Sequence, residues 1–206
     1  MQGLFRLRRY LEAPSRKLPK APGCELCGAP FDGGHKHVID VEQHRLLCTC
    51  RPCSLLFTHS GAAGGKFRSV SERIVKLTDA ALSGAWWEAL EIPVGIAFFL
   101  HQSSRNRVVA FYPSPAGVTE SGLPLETWSE VAKSSPLLAT LETNTEALLV
   151  CRRREAVEAW IVPVDACYEI AGRIRRHWKG FDGGEEAWRT IDEFFADLSQ
   201  REGVYA

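Results

Sequence analysis

No apolar run in this sequence is long enough to cross a membrane as a helix. The longest, at 95–100 and 147–151, stop far short of the roughly 20 residues such a span needs. Net charge is missing too, because 25 Lys and Arg are balanced by 25 Asp and Glu. That balance removes a whole-protein attraction to nucleic acid and leaves only local patches. In "MQGLFRLRRYLEAPSRKLPKAPG" the basic and apolar residues interleave, so the apolar core of a secretory signal is absent. The expected compartment is therefore the reducing cytosol, where clustered cysteines mean metal or redox chemistry more often than disulfides. "HSGAAGGK" ends like a phosphate loop, but Ser60 stands where the first glycine belongs and Phe67 where Ser or Thr belongs. No catalytic constellation and no internal repeat is recognisable. The leading expectation is a cytoplasmic protein that is not an enzyme and takes no small-molecule substrate.

What is present is enough for a folded core. A chain of 206 residues, 45% hydrophobic and 24% charged, suits one core plus a smaller appended module. Composition divides it into three. Residues 1–23 form a basic arm with six Lys or Arg against Glu12, read either as a solvated segment or as a dock for an acidic partner or membrane surface. Residues 24–60 form a Cys/His module. Residues 67–206 form a body of mixed pattern. "FRSVSERIVKL" alternates as a strand does, and "VGIAFFLHQ" and "RVVAFYP" flank the turn-like "SSRN" as a hairpin. Short helices are expected in "GAWWEAL" and "PLETWSEVAK". "EALLVCR" and "EAWIVPV" make a second hairpin around Arg153 and Arg154. Asp165 reads as the N-cap of a helix with Ile170, Ile174 and Trp178 on one face, and a last helix carries Trp188, Ile191, Phe195 and Leu198. The expected class is α+β: a small zinc-ribbon-like four-cysteine module, then an antiparallel sheet covered on one face by helices.

The chemistry is concentrated in "CELCGAPFDGGHKHVIDVEQHRLLCTCRPC", which holds five of the seven cysteines and three of the six histidines. Cys24 with Cys27 and Cys50 with Cys53 are two Cys-x-x-Cys pairs separated by 22 residues. Each such pair can curl around one ion, and two pairs close a tetrahedron. Gly28 offers the backbone freedom that a tight knuckle requires. Cys48 lies two before Cys50, so on a strand both point the same way; the tighter chelate favours Cys50 and leaves Cys48 as a neighbouring thiol or a ligand to something else. His35 and His37 also share a face if extended, either as solvated polar side chains or as a His-x-His pair serving a second site. Four thiolates suit zinc, with a single iron or an iron-sulfur cluster as the alternative. A closed set of four leaves no position for a substrate water.

Other candidates carry less. Tyr112, Ser114, Thr119, Glu120 and Ser121 fall in a loop-like "YPSPAGVTES" without an assignable base or nucleophile. Cys151 and Cys167 read as buried thiols, with Cys167 activated only if a helix N-terminus meets it exposed. The basic residues of 152–154 and 173–179 read as solvated surface.

The knuckles resemble those of zinc ribbons and, more loosely, of rubredoxins, although Ser54 after Cys53 departs from the rubredoxin turn. Taken together, "CELCG", "HKHVID", "LLCTCRPCSLLF", "AFYPSPAGVTES" and "HWKGFDGGEEAWRTIDEFFADL" resemble an uncharacterised bacterial family encoded beside NiFe uptake-hydrogenase genes. The resemblance implies an accessory role toward hydrogenase subunits or maturation factors, by protein contact or electron transfer. It also implies that Cys48, His35 and His37 belong with Cys24, Cys27, Cys50 and Cys53. A zinc-ribbon nucleic-acid binder ranks last because the charge balance does not favour it.

Overall fold

The structure is a computed structural model that describes residues 22–31, 33–77, 87–88, 92, 94–114, 117–121, 128, 132, 135–153, 156–180 and 183–203. The basic arm at 1–23 lies almost entirely outside the described residues. So do most of the two short helices expected in "GAWWEAL" and "PLETWSEVAK".

Two antiparallel sheets organise the chain. The smaller is built from β1 (Lys36–Asp40), β2 (Arg45–Thr49) and β3 (Phe67–Ser69), in the order β2-β1-β3. Its hairpin turn is made by Asp40, whose buried carboxylate accepts from the backbone N–H groups of Glu42 and Gln43 at 3.1 and 2.9 Å. That is the local chemistry that makes Asp a turn former. A five-residue helix, α1 (Arg51–Leu55), follows β2.

The larger sheet contains β4 (Val75–Leu77), β5 (Ile96–Gln102), β6 (Arg107–Ser114), β7 (Gly117–Glu120), β8 (Glu146–Arg153) and β9 (Ala156–Pro163), in the order β4-β9-β8-β5-β6-β7. Both expected hairpins form, β5 with β6 and β8 with β9. Asn106, at φ 47°, closes the first, a left-handed position that Asn tolerates better than most residues. "FRSVSERIVKL" is not one strand. It divides into β3 and β4, which belong to different sheets. Between them Arg73 is drawn to the buried carboxylate of Glu146 on β8, with Nε and a terminal nitrogen at 2.9 and 2.6 Å.

Two helices, α2 (Val164–His177) and α3 (Gly184–Arg201), lie on one face of the large sheet. Their apolar stripes, Ile170 and Ile174 from α2 and Ile191, Phe194, Phe195 and Leu198 from α3, pack on Phe98, Leu100, Val109, Phe111, Leu149, Trp160 and Val162. Burial of each such side chain contributes about 1.5–3 kcal/mol. Ile39 of β1 and Val41, just beyond it, join this same core, so the two sheets are not independent bodies. The helices cover one face, as expected, but the opposite face is buried as well: Phe99, Leu148, Val150 and Ile161 pack there with Trp87 and Leu138. Burial on both faces explains why β5 and β8 read as nearly unbroken apolar runs where a one-sided sheet would alternate. No described helix is long and apolar enough to cross a membrane.

Candidate metal centre

The chain brings the four knuckle cysteines together by two different local devices. Cys24 to Gly28 form a tight turn in which Gly28 N–H donates to the Cys24 carbonyl at 2.8 Å and Gly28 takes φ 75°, a conformation suited to glycine. The second pair does not repeat this turn. β2 ends at Thr49, Cys50 is the extended N-cap of α1, and Cys53 sits in that helix, with Ser54 N–H donating to the Cys50 carbonyl at 3.1 Å. The two pairs therefore ride different local structures, a turn and a helix start, and Pro52 in the first turn of α1 suits the latter.

The Sγ atoms of Cys24, Cys27, Cys50 and Cys53 all lie within 4.8 Å of one another, and Cys27 and Cys50 are 3.7 Å apart. A regular tetrahedron with metal–sulfur bonds of about 2.3 Å has sulfur–sulfur edges of about 3.8 Å, so the donors fit one four-coordinate ion. All four are free thiols. Cys24 is buried, Cys27 exposed, and Cys50 and Cys53 half-buried. Burial opposes ionisation of Cys24, but donation from the backbone at Cys50, Cys27 and Leu26 outweighs it and holds the thiol down at about 6. Cys53 goes the other way, pushed up to about 12 by hydrogen bonding with Cys27 and Cys50, with burial and Cys24 adding to it. Four thiolates this close repel one another, and a cation among them reverses that repulsion.

Cys48, His35 and His37 form a separate set. A ring nitrogen of each histidine and the Cys48 Sγ lie within 4.8 Å of one another, and the two Nε2 atoms are 3.1 Å apart. Cys48 stands directly across from His37 in the β1–β2 register, so the two choices that spacing left open at Cys48 and Cys50 resolve into two different clusters. The sets touch through Glu25, between Cys24 and Cys27: its N–H donates to the Cys48 carbonyl at 2.8 Å, and its carboxylate accepts from the Cys48 N–H at 2.6 Å. Burial and the Glu25 charge raise the Cys48 thiol above its ordinary value.

A family model described as "Family of unknown function (DUF5947)" matches residues 23–202. The chain belongs to that family. The matched span starts one residue before Cys24 and takes in both donor sets, both sheets and both long helices of this DUF5947 chain. Comparison with curated proteins and with solved structures gives no match.

The remaining candidates do not converge on a site. "YPSPAGVTES" is largely a hairpin, β6 with β7; Thr119 donates to Ser114 at 3.0 Å, and Glu120 pairs with Arg105 and Arg107. Cys167 is fully buried in the first turn of α2, and burial, with Asp165 nearby, raises its thiol well above the ordinary value, so the helix end does not activate it. Burial likewise raises Cys151. Among the basic residues, Arg152 pairs with Glu88, Arg153 with Asp192, Arg173 with Glu169 and Lys179 with Glu186. Asp165 is not an N-cap. Pro163 holds that position, and the Asp165 carboxylate instead meets His37 Nδ1 at 2.6 Å. Glu25 and Asp165 were both missed as site residues; nothing in the spacing links Asp165 to a histidine 128 positions away.

Proposed function

We propose that this protein binds one zinc ion through Cys24, Cys27, Cys50 and Cys53 and acts, without catalysis, as an accessory protein through contacts with another protein. The observation that carries this is the mutual approach of the four Sγ atoms within 4.8 Å. Four protein donors close the coordination shell, which suits a structural ion. Such an ion would hold the Cys24–Gly28 turn against α1 and so fix the surface around them. The exposed large hydrophobics among the described residues are Leu26, Leu55 and Leu56. All three lie in or just beyond the knuckles, where a docking partner would cover them. Resemblance to proteins encoded beside NiFe uptake-hydrogenase genes supports hydrogenase subunits or maturation factors as that partner.

A second reading is favoured by the exposure of Cys27. Iron held by the same thiolates would lie close enough to the surface to exchange electrons with a docked partner. Metal analysis of protein purified without oxygen, together with its visible spectrum, separates the two. One zinc per chain and no colour supports the scaffold. Iron with thiolate charge-transfer bands supports the carrier. Co-purification of tagged protein with hydrogenase subunits, lost on substitution of Leu55 and Leu56 by Ser, tests the partner.

A further inference from the structure

We infer that His35, His37 and Cys48 form a second metal site, distinct from the four-cysteine centre, that holds a late first-row divalent cation through two imidazoles and one thiolate and leaves a coordination position open. His37 Nδ1 lies 2.6 Å from Asp165 Oδ2. With the carboxylate accepting the Nδ1 proton, the lone pair is at Nε2, the atom that faces His35 Nε2 at 3.1 Å. A carboxylate behind a histidine is the usual support of a metal-bound imidazole. Two nitrogens bound at about 2.0–2.1 Å in a tetrahedron stand about 3.3 Å apart, close to the separation seen. The His35 ring is held from its other side by stacking on Phe31, centroids 4.8 Å apart. Cys48 supplies the third donor from the neighbouring strand.

Three donors, two of them borderline and one soft, suit zinc or its neighbours in the row and match the count found where a site keeps a place for an exchangeable ligand. Access to such a place exists. A cavity of about 180 Å³ borders both histidines and is also lined by Lys36, Asp165 and Arg201. Glu72 lines it as well and pairs with Lys36, so the lining carries two acids against two bases. The inference does not depend on what the four cysteines bind.

The test is a titration of the reduced, metal-stripped full-length protein with Co²⁺, read by visible absorption and by equilibrium stoichiometry. Wild-type protein is expected to bind two Co²⁺ per chain. His35→Ala is the cleanest variant because that side chain is exposed; it should bind one fewer and keep the four-thiolate spectrum. Asp165→Asn should keep the four-thiolate ion and weaken the second by about 10–100-fold, as for a positioning residue behind a ligand. Circular dichroism of both variants should match wild type. A single Co²⁺ in wild type that His35→Ala retains overturns the inference, as does a second Co²⁺ indifferent to His35→Ala. A single Co²⁺ lost in His35→Ala supports the inference and removes the four-cysteine reading.

Discussion

Arg73→Ala should destabilise the body by about 3 kcal/mol, because Arg73 ties the link between β3 and β4 to Glu146 on β8. The Glu146 side chain is 1% exposed. Its carboxylate receives two guanidinium hydrogen bonds, at 2.9 and 2.6 Å, plus one from Ser71 Oγ at 2.8 Å and one from Glu142 N–H at 2.9 Å. Charge-assisted bonds of this kind contribute about 1.5–3 kcal/mol each. Removing one partner of a buried pair typically costs about 3–5 kcal/mol, because the remaining charge is stranded. Two neutral donors stay on Glu146, and Arg73 is 30% exposed, so water can enter; both place the loss at the low end. At a urea dependence of about 2–3 kcal/mol per molar, the midpoint should fall by about 1–1.5 M. Urea unfolding followed by tryptophan fluorescence measures it, since Trp160 lies in the core. Adding Glu146→Gln to Arg73→Ala should recover part of the loss, about 1 kcal/mol, because the neutral amide can accept from Glu142 N–H and donate to Ser71 without stranding a charge. A midpoint unmoved by Arg73→Ala, or a double variant weaker than the single one, refutes the stranded-charge reasoning.

On the proposed metal-bound reading, Cys24→Ser should release the ion and unfold the small sheet. Ile39 and Val41 then leave the shared core, so the body should lose about 3–6 kcal/mol while staying folded. Metal analysis and denaturant unfolding check this; a loaded, unchanged protein would contradict it. Leu198→Ala, at a position with no exposed surface, should cost about 2–5 kcal/mol in the same unfolding assay. Lys179, and then His177, hold the Glu186 carboxyl below its ordinary 4.5. A depressed carboxylate stabilises above its unfolded value and loses that contribution as pH falls through the lower folded one. Thermal melts of wild type and Glu186→Gln should therefore differ near neutrality and converge as pH falls below about 4.5.

The parts of the molecule that follow from local pattern were readable in advance. Cys-x-x-Cys spacing points to four thiols that the fold does gather within 4.8 Å of one another, yet spacing did not reveal that one pair rides a turn and the other a helix start. The two hairpins were visible because their turns and apolar strands are contiguous. The doubly covered sheet was not, since an unbroken apolar run records burial without saying what lies on each side. Arg73 with Glu146, and Asp165 with His37, were invisible for a different reason. Each pairs residues more than 70 positions apart, and a single sequence carries no trace of such a meeting. Asp165 was also masked by a reasonable local role, because Asp at a helix start usually caps it.

Among the described residues, the outermost strands of the large sheet are β4 and β7, only three and four residues long. An open sheet invites other chains to add themselves along its rim, and brevity is one defence. On β4 the backbone N–H of Lys76 is already taken by the Glu202 carboxylate at 3.1 Å. On the other rim, Arg105, Arg107 and Glu120 set charges beside β7. Among the described residues, both borders of a sheet rich in Phe, Leu and Val are thereby made poor templates for the addition of another strand.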